Sequence, residues 1–308
     1  MSEALTAIAI KNVTRRFGAS LAIDDLSLDV AKAEIFAIVG PDGAGKTTLM
    51  RLICGALEID DGTLSVDGVD VIAHTSAVQS AIGYMPQRFS LYPDLSVMEN
   101  LRFYGDIFGV PRSEFEARAS ALLEDFSIAQ FTKRLADELS GGMKQKLALA
   151  CTLIHSPSTI LLDEPTAGVD PLSRREFWRI LYRINHRGTT ILVSTPYMDE
   201  AERAKRVAFL SRGGIVACGT PAELKQNVRG DVVEIRCAQR GIARSALREV
   251  PLVRSVEIFG ETLHALVSSS TQAIPELSER LATAGVTDPK FRDIPPSLED
   301  AFVARLAS

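Results

Sequence analysis

The feature that most constrains the fold is a glycine-rich segment at residues 40–47, which reads GPDGAGKT and lies between two apolar stretches. It fits the pattern G-x-x-x-x-G-K-[ST], whose glycines let backbone N–H groups point inward at phosphate oxygens. Residues 35–40 predict a buried strand before it, and residues 47–57 have the apolar spacing of a helix after it. A helix that starts here directs its positive end at a bound anion. This strand–loop–helix order therefore predicts a phosphate-binding site in an α/β domain.

The loop supplies the first candidate ligands for ATP and Mg²⁺. The ammonium group of Lys46 can reach the β- and γ-phosphates, and the hydroxyl of Thr47 can ligate Mg²⁺. We expect further ATP contacts from the other loop residues and the next threonine, namely Gly40, Pro41, Asp42, Gly43, Ala44, Gly45 and Thr48.

A second apolar run, within residues 158–165, ends in two adjacent carboxylates, Asp163 and Glu164. Open α/β sheets bind their ligands at the carboxyl ends of the strands. We therefore expect Asp163 near the phosphates, where it can hold Mg²⁺ directly or through water. Glu164 is the candidate catalytic carboxylate, because it can orient or deprotonate the attacking water.

Composition narrows the class of protein. The 308 residues carry 34 basic and 39 acidic side chains, a formal net charge of −5. A general nucleic-acid binder needs a basic surface, so no nucleic-acid partner is expected. No segment approaches the roughly 18 apolar residues of a membrane-spanning helix. Any link to a membrane must therefore come through a partner protein.

The patterns of strands and helices divide the chain. Strands alternate with helices through residues 1–228, which favours a mainly parallel sheet. Within that part, residues 88–156 are helical and predict an inserted subdomain, with a capping box that starts a helix at Ser96. Residues 229–308 read strand, helix, strand, strand, helix, strand and a final helix. That order predicts a small ferredoxin-like α+β domain.

The segment that discriminates among ATPases is LSGGMKQ at residues 139–145. It opens an amphipathic helix, whose first N–H groups at Ser140, Gly141 and Gly142 offer a second anion site. This segment closely matches the signature motif of the ABC (ATP-binding cassette) ATPases, and the resemblance covers about residues 8–225. In that family two cassettes dimerise head to tail, so that the phosphate loop of one and the signature of the other hold each ATP. The resemblance implies that these three residues act on the ATP of a partner cassette.

The resemblance also assigns further residues and partners. Phe17 matches an aromatic residue that stacks on adenine, Gln87 matches a glutamine that touches Mg²⁺ and senses the membrane partner, and Asp170 matches a dimer-interface residue. The stretch from Phe89 to Val110 matches the surface that grips an integral membrane permease. Residues 295–303, PPSLEDAFV, resemble the end of ATPases from ABC-2-type exporters. This implies a peripheral protein at the cytoplasmic face of the cell inner membrane.

The sequence departs from the family pattern at two positions. Pro196 stands where the family has a histidine that contacts the γ-phosphate, and no histidine is adjacent in sequence to replace it. Asp42 replaces the usual asparagine, and a carboxylate near phosphates is unfavourable unless it is paired or points away. We expect Thr195 to cap the next helix, with Pro196 at its first position, so that the fold survives while hydrolysis suffers.

Together the motifs predict an α/β fold, a P-loop NTPase of the ABC cassette type, whose ATP-driven dimerisation energises a membrane exporter. Because of Pro196, two arrangements stay open. In one, the chain is a degenerate, slowly hydrolysing regulatory cassette that pairs with a competent cassette. In the other, it forms a homodimer that hydrolyses ATP with Glu164 alone. A further alternative is a soluble ABC ATPase that binds nucleic acid or ribosomes. The acidic charge argues against it.

Overall fold

The computed structural model describes residues 6–88 and 91–306. The chain forms two compact units, which meet in the sequence between Ile215 and Val216. Each unit has its own hydrophobic core. The domain boundary that we expect at residue 228 stays a prediction. Within the described residues, no helix has the length and apolarity needed to cross a bilayer.

A six-stranded sheet forms the centre of the first unit, and its last strand along the chain runs across the boundary between the two units. In spatial order its strands are β10 (Gly214–Gly219), β9 (Arg206–Ser211), β3 (Ile35–Val39), β8 (Thr190–Thr195), β7 (Thr159–Asp163) and β6 (Ile82–Met85). Neighbouring strands from β9 to β6 run parallel. Every residue of β3, β7 and β8 is buried. Both faces of a parallel sheet are covered, which fits the mainly apolar sequences of these strands.

A second, antiparallel sheet packs in the same core. Its order is β2-β1-β4-β5, with β1 (Thr6–Phe17), β2 (Ser20–Ala31), β4 (Asp61–Val66) and β5 (Val69–Asp70). Ile8 and Ile23 from this sheet share a cluster with Leu49 and Met50 of the first helix, α1 (Lys46–Ile53). The apolar face of α1 is thereby fixed, and with it the position of the loop that precedes the helix.

The predicted helical insert lies between β6 and β7. It contains α3 (Val97–Ile107), α4 (Arg112–Asp125) and α5 (Gly141–Leu153). The Ser96 hydroxyl accepts the Glu99 N–H at 3.3 Å, and the Glu99 carboxylate accepts the Ser96 N–H at 2.8 Å. The capping box at the start of α3 is therefore confirmed. The other helices of this unit are α2 (Thr75–Ala81), α6 (Pro171–His186) and α7 (Met198–Ala201).

The second unit has the predicted ferredoxin-like topology. After α8 (Pro221–Gln226) come β11 (Asp231–Arg236), α9 (Arg240–Leu247), β12 (Val253–Phe259), β13 (Thr262–Val267), α10 (Ser270–Thr283), β14 (Lys290–Ile294) and α11 (Leu298–Leu306). The sheet has the order β12-β13-β11-β14, with antiparallel neighbours. Leu247 of α9 and Leu277 of α10 are buried in its core. Their burial explains the helical spacing of apolar residues in this region.

Candidate nucleotide-binding site

Three strand ends meet at one edge of the parallel sheet. Val39, the last residue of β3, is in register with Thr195 at the end of β8. Asp163, the last residue of β7, is in register with Ser194. The phosphate loop, the acidic pair and the segment after β8 therefore leave the sheet side by side, at the carboxyl ends where α/β sheets bind ligands.

Two loop glycines are required by the close approach of neighbouring backbone. Gly45 has a φ of +109°, and a Cβ there would lie 2.6 Å from the carbonyl oxygen of Ala22 in β2. At Gly40, a Cβ would lie 2.2 Å from the carbonyl oxygen of Leu210 in β9. Positive φ values favour glycine because it has no Cβ. The loop is thus held tightly between β2 and β9.

The first turn of α1 suits an anion. The helix begins at Lys46, no side chain caps this end, and no acidic residue lies in the first turn. Thr47 and Thr48 are partly buried in that turn. The first N–H groups of a helix lack partners within the helix, and together with the dipole they favour phosphate. Around this helix start the exposed loop residues are Pro41, Asp42 and Gly43, whereas Ala44 is buried.

Lys46 joins the phosphate loop to the acidic strand. Only 4% of its side chain is exposed. Its Nζ donates to the carbonyl oxygens of Gly40 at 2.8 Å and Pro41 at 3.2 Å, and it lies 3.1 Å from Oε1 of Glu164. The other carboxylate oxygen of Glu164, Oε2, accepts a hydrogen bond from Nε2 of Gln87 at 2.9 Å. Lys46, Glu164 and Gln87 therefore form one contact set.

Glu164 is held in a backbone conformation that is uncommon for a residue with a side chain. Its φ is +49°, in the left-handed region. Its N–H lies 3.1 Å from the carbonyl oxygen and 3.0 Å from the hydroxyl oxygen of Ser194, and both can accept it. Strained residues of this kind persist only where their surroundings fix them, and they cluster at functional sites. The carboxylate is thus anchored through its own backbone as well as through Gln87.

Asp163 has one carboxylate oxygen whose hydrogen-bonding capacity is unused. The residue is 0% exposed. Its Oδ1 accepts a hydrogen bond from the Ser194 hydroxyl at 2.6 Å, whereas Oδ2 has no hydrogen-bond partner among the described residues. A buried anionic oxygen without a partner is unfavourable unless a cation or a donor meets it. Because Mg²⁺ prefers oxygen ligands, the unpaired Oδ2 of Asp163 suits this ion.

The signature residues form a second group with Asp170. Ser140 caps α5 through its hydroxyl, which accepts a backbone N–H of the first turn at 3.4 Å, and Gly141 and Gly142 are the first two helical residues. A Cβ at Gly142 would lie 2.6 Å from the hydroxyl oxygen of Ser173, in the first turn of α6. Asp170 caps α6, and hydrogen bonds from the side chain and backbone of Ser173 hold its pKa below the usual value. In the described part of the chain, no hydrogen bond or ion pair connects this group to the Lys46 contact set.

Phe17 presents an aromatic surface at the end of β1. Its side chain is 46% exposed, and the guanidinium carbon of Arg15 lies 4.9 Å from the ring centroid. An aromatic ring with this much exposed surface is available for stacking on another planar group.

The segment after β8 corrects one expectation. Helix α7 begins at Met198 rather than at Pro196, and the residue before it, Tyr197, makes no side-chain capping bond. The Thr195 hydroxyl accepts the N–H of Tyr197 at 3.1 Å and donates to the carboxylate of Glu200 at 2.8 Å. The prediction that Thr195 caps the helix is wrong because α7 starts three residues later, at Met198, so that the Thr195 hydroxyl reaches only the N–H of Tyr197, before the first helical residue.

Two residues at this edge are missed by sequence reasoning. Ser194 contacts both Asp163 and Glu164, but it is one of three hydroxyl residues in the buried strand Thr190–Thr195, so the sequence alone does not single it out. Glu200 reads in the sequence as an ordinary solvated carboxylate of a short helix, yet it is fully buried. No local pattern distinguishes it.

Comparison with known proteins shows the family to which the chain belongs. A model of the ABC transporter family matches residues 23–167, and a model of the C-terminal domain of DrrA1-3-like ATP-binding proteins matches residues 219–305. The chain belongs to the family of ABC transporter ATP-binding proteins, whose cassettes are ATPases.

Individual relatives extend the similarity over both units. The chain is 34% identical over 300 residues to the daunorubicin resistance ATP-binding protein DrrA3 of Streptomyces coeruleorubidus, covering 97% of this chain and 95% of that protein. It is 39% identical over 284 residues to YbhF of Escherichia coli (strain K12), which is described as a probable multidrug ABC transporter ATP-binding protein. That match covers 92% of this chain and 48% of YbhF, so the chain spans about half the length of this relative. Among solved structures, a dimeric bacterial ABC transporter cassette is similar with a TM-score of 0.63 and 26% identity, over 69% of this chain and 98% of that one.

Proposed function

We propose that this chain is the ATP-hydrolysing subunit that energises an ABC membrane exporter. The observation that carries the proposal is the contact set around Glu164, whose carboxylate lies between Lys46 and Gln87 and directly follows the buried Asp163. An ATPase needs a phosphate-binding cation, an oxygen ligand for a metal ion and a carboxylate that can handle a water molecule, all within one site.

Lys46 and Glu164 have complementary tasks in this proposal. The loop and the first turn of α1 bind the phosphates, and Lys46 is their cation. Phosphate oxygens would replace the Glu164 carboxylate, 3.1 Å from Nζ, as partner of Lys46. The released carboxylate can then accept a proton from the attacking water, while the hydrogen bond from Gln87 keeps it oriented. Low exposure of both charged groups strengthens these interactions.

The metal site would be built from Thr47, Gln87 and Asp163. When bound, Mg²⁺ neutralises the charge on the transferring phosphoryl group. The hydrogen bond from Ser194 fixes one oxygen of Asp163 and leaves the other available for the ion. The adenine ring would stack on Phe17.

The signature residues Ser140, Gly141 and Gly142, with Asp170, would act on the ATP of a partner cassette. Two separate anion-binding features in one compact unit support this assignment, since a single ATP does not need both. The similarity to a dimeric cassette supports it as well. Closing of such a dimer on ATP, and its opening after hydrolysis, would move a permease between inward- and outward-facing states.

The helical insert would contact that permease. A groove of about 370 Å³ lies beside Gln87 and is lined in part by Arg88, Pro93 and Gln145. The first two residues of the contact stretch that we predict at 89–110 lie outside the described residues. Similarity to a multidrug transporter protein and to a daunorubicin resistance protein supports export rather than import. The chain would then lie peripherally at the cytoplasmic face of the inner membrane.

Steady-state ATP hydrolysis by the purified chain tests the enzymatic part, with Glu164→Gln as the control. We expect Mg²⁺-dependent turnover that falls to background in Glu164→Gln, while that variant still binds ATP. A native chain at background would contradict the proposal. Co-purification with a hydrophobic integral membrane protein tests the transport part, and recovery with nucleic acid would favour a soluble ABC ATPase instead.

Pro196 favours a second candidate, a slowly hydrolysing regulatory cassette. It follows Thr195, which is in register with the residue just before the phosphate loop, and proline offers no donor to a γ-phosphate. The Pro196→His variant separates the two candidates. Activity gained from near background would indicate a degenerate cassette that needs a competent partner. A native chain that already turns over, with no gain from histidine, would indicate a working homodimer.

A further inference from the structure

The carboxylate of Glu200 joins three segments near the acidic pair. Glu200 lies in α7 and is 0% exposed. Its Oε1 accepts a hydrogen bond from the Thr166 hydroxyl at 2.6 Å, and its Oε2 accepts one from the Thr195 hydroxyl at 2.8 Å. Nε of Arg174 lies 3.3 Å from Oε1, as an ion pair without hydrogen-bond geometry.

Each partner of Glu200 belongs to a different part of the site. Thr166 lies two residues after Glu164, in the turn that leads to α6. Thr195 ends β8, in register with the last strand residue before the phosphate loop. Arg174 lies near the start of α6, and its guanidinium carbon is 4.1 Å from the ring centroid of Tyr197, in the segment after β8. Glu200 therefore connects the turn that carries Glu164 to the end of β8.

The strained turn at Glu164 needs such a connection. A left-handed residue with a side chain persists only when its surroundings determine its conformation. On one side, Ser194 holds the backbone N–H of Glu164. On the other side, the hydrogen bond from Thr166 to Glu200 holds the turn that follows. A buried carboxylate is retained only where it is paired and hydrogen-bonded, and Glu200 meets both conditions.

We propose that Glu200 is a positioning residue for ATP hydrolysis, which acts by fixing the turn that carries Glu164 against the end of β8 through the hydroxyls of Thr166 and Thr195. The proposal rests on the hydrolytic function proposed above. Glu200 itself contacts neither Lys46 nor Asp163 through any hydrogen bond or ion pair in the described part of the chain. Its effect is on the geometry of Glu164 rather than on the nucleotide.

Glu34 provides a matched control for Glu200. It is also buried, with 1% exposure, and it is paired with Arg206 through contacts of 2.8 Å to Nε and 2.8 Å to Nη2. It directly precedes β3, at the opposite, amino edge of the same sheet. Glu200→Gln and Glu34→Gln each remove a buried negative charge that is paired with an arginine. Only the first lies next to the turn of Glu164, where the new amide NH₂ cannot accept the second threonine hydroxyl.

We expect Glu200→Gln to lower kcat for ATP hydrolysis by roughly tenfold or more, since small misplacements of a catalytic group have effects of this size or larger. The KM for ATP should stay within about twofold of native, because the phosphate loop is unchanged. Glu34→Gln should lose comparable thermal stability and keep its kcat. Thr166→Val should reproduce the kcat loss, and Thr166→Ser, which retains the hydroxyl, should restore activity. Equal kcat values in Glu200→Gln and Glu34→Gln would overturn the proposal.

Amide hydrogen exchange tests the same connection between the Glu164 turn and the end of β8, and it does not require ATP hydrolysis. In Glu200→Gln, exchange should accelerate in a peptide that spans residues 164–170, and in Glu34→Gln it should match the native chain there. Unchanged exchange in Glu200→Gln would overturn the positioning role. A native chain without turnover would instead contradict the hydrolytic function, and the exchange comparison would still decide whether Glu200 fixes this turn.

Discussion

Replacing Ser194 with alanine should destabilise the first unit mainly through the charge of Asp163. The Ser194 hydroxyl donates to Oδ1 at 2.6 Å, and Asp163 is fully buried with its other oxygen unpaired among the described residues. A hydrogen bond to a charged group contributes about 1.5–3 kcal/mol. The Glu164 N–H loses the hydroxyl oxygen at 3.0 Å but keeps the Ser194 carbonyl oxygen at 3.1 Å, so this loss adds little. We therefore expect Ser194→Ala to lower the free energy of unfolding by about 2–3 kcal/mol.

Making the Ser194→Ala change in an Asp163→Asn variant as well shows how much of its effect depends on the charge of Asp163. A hydrogen bond between neutral groups contributes about 0.5–1.5 kcal/mol, so Ser194→Ala should cost roughly half as much in that background. Differential scanning calorimetry measures both. For a unit of this size, a change of about 1 kcal/mol in the free energy of unfolding shifts the Tm by about 2–4 °C. Ser194→Ala should therefore lower the Tm of the first unit by about 4–12 °C when Asp163 is present. Equal decreases in the two backgrounds would refute the reasoning that an unsatisfied buried charge dominates.

Two further predictions concern the phosphate loop and the second unit. Gly40→Ala should lower the free energy of unfolding by about 1–3 kcal/mol, because its Cβ would lie 2.2 Å from the carbonyl oxygen of Leu210. Gly43→Ala should lower it by only about 1 kcal/mol, because Gly43 has a φ of +78° but open space around a Cβ. Equal Tm values for the two variants in thermal unfolding would contradict this ranking. In the second unit, His264 Nδ1 lies 2.9 Å from Oδ1 of Asp300. Burial alone would lower the pKa of His264 and raise that of Asp300. The hydrogen bond and charge of each partner outweigh burial, so the pKa of His264 is raised and the pKa of Asp300 is lowered. The pair should therefore stabilise the second unit most between about pH 4 and 6.5. This stabilisation is lost as the pH rises through the raised pKa of His264 and as it falls through the lowered pKa of Asp300. In unfolding measured at a series of pH values, His264→Gln should flatten the loss on the alkaline side, and an unchanged profile would contradict the linkage.

Much of the fold follows from patterns that are local in the sequence. The mainly apolar runs within residues 35–40, 158–165 and 189–195 predict buried strands, and Ile35–Val39, Thr159–Asp163 and Thr190–Thr195 are fully buried strands. The order of strands and helices after residue 229 predicts the ferredoxin-like unit. The apolar spacing of residues 243–250 predicts a helix there, whereas α9 spans Arg240–Leu247, three residues earlier. Its first two residues, Arg240 and Gly241, carry no apolar signal, and Ile242 is 52% exposed and lies off the buried face of the helix.

The candidate site was predictable where a motif carries its own chemistry. Lys46, Asp163 and Glu164 lie in segments whose residue types point to phosphate, metal and water. Ser194 and Glu200 were not predictable in the same way, because their roles depend on which strands are neighbours. The register that brings Ser194 beside Asp163 is a tertiary feature of β7 and β8. The burial of Glu200 likewise depends on hydroxyl partners that are distant in the sequence or lie in a strand.

The most direct test of the account is a mixing experiment on two inactive variants. Lys46→Ala removes the phosphate-binding cation, and Gly141→Asp adds a negative charge at the signature, where a Cβ meets no atom within 4 Å. In a head-to-tail dimer, the mixture contains one site built from an intact phosphate loop and an intact signature. The account predicts that neither variant hydrolyses ATP alone and that the mixture regains Mg²⁺-dependent hydrolysis. Native activity in Gly141→Asp alone, or no recovery in the mixture, would contradict a site shared between two cassettes.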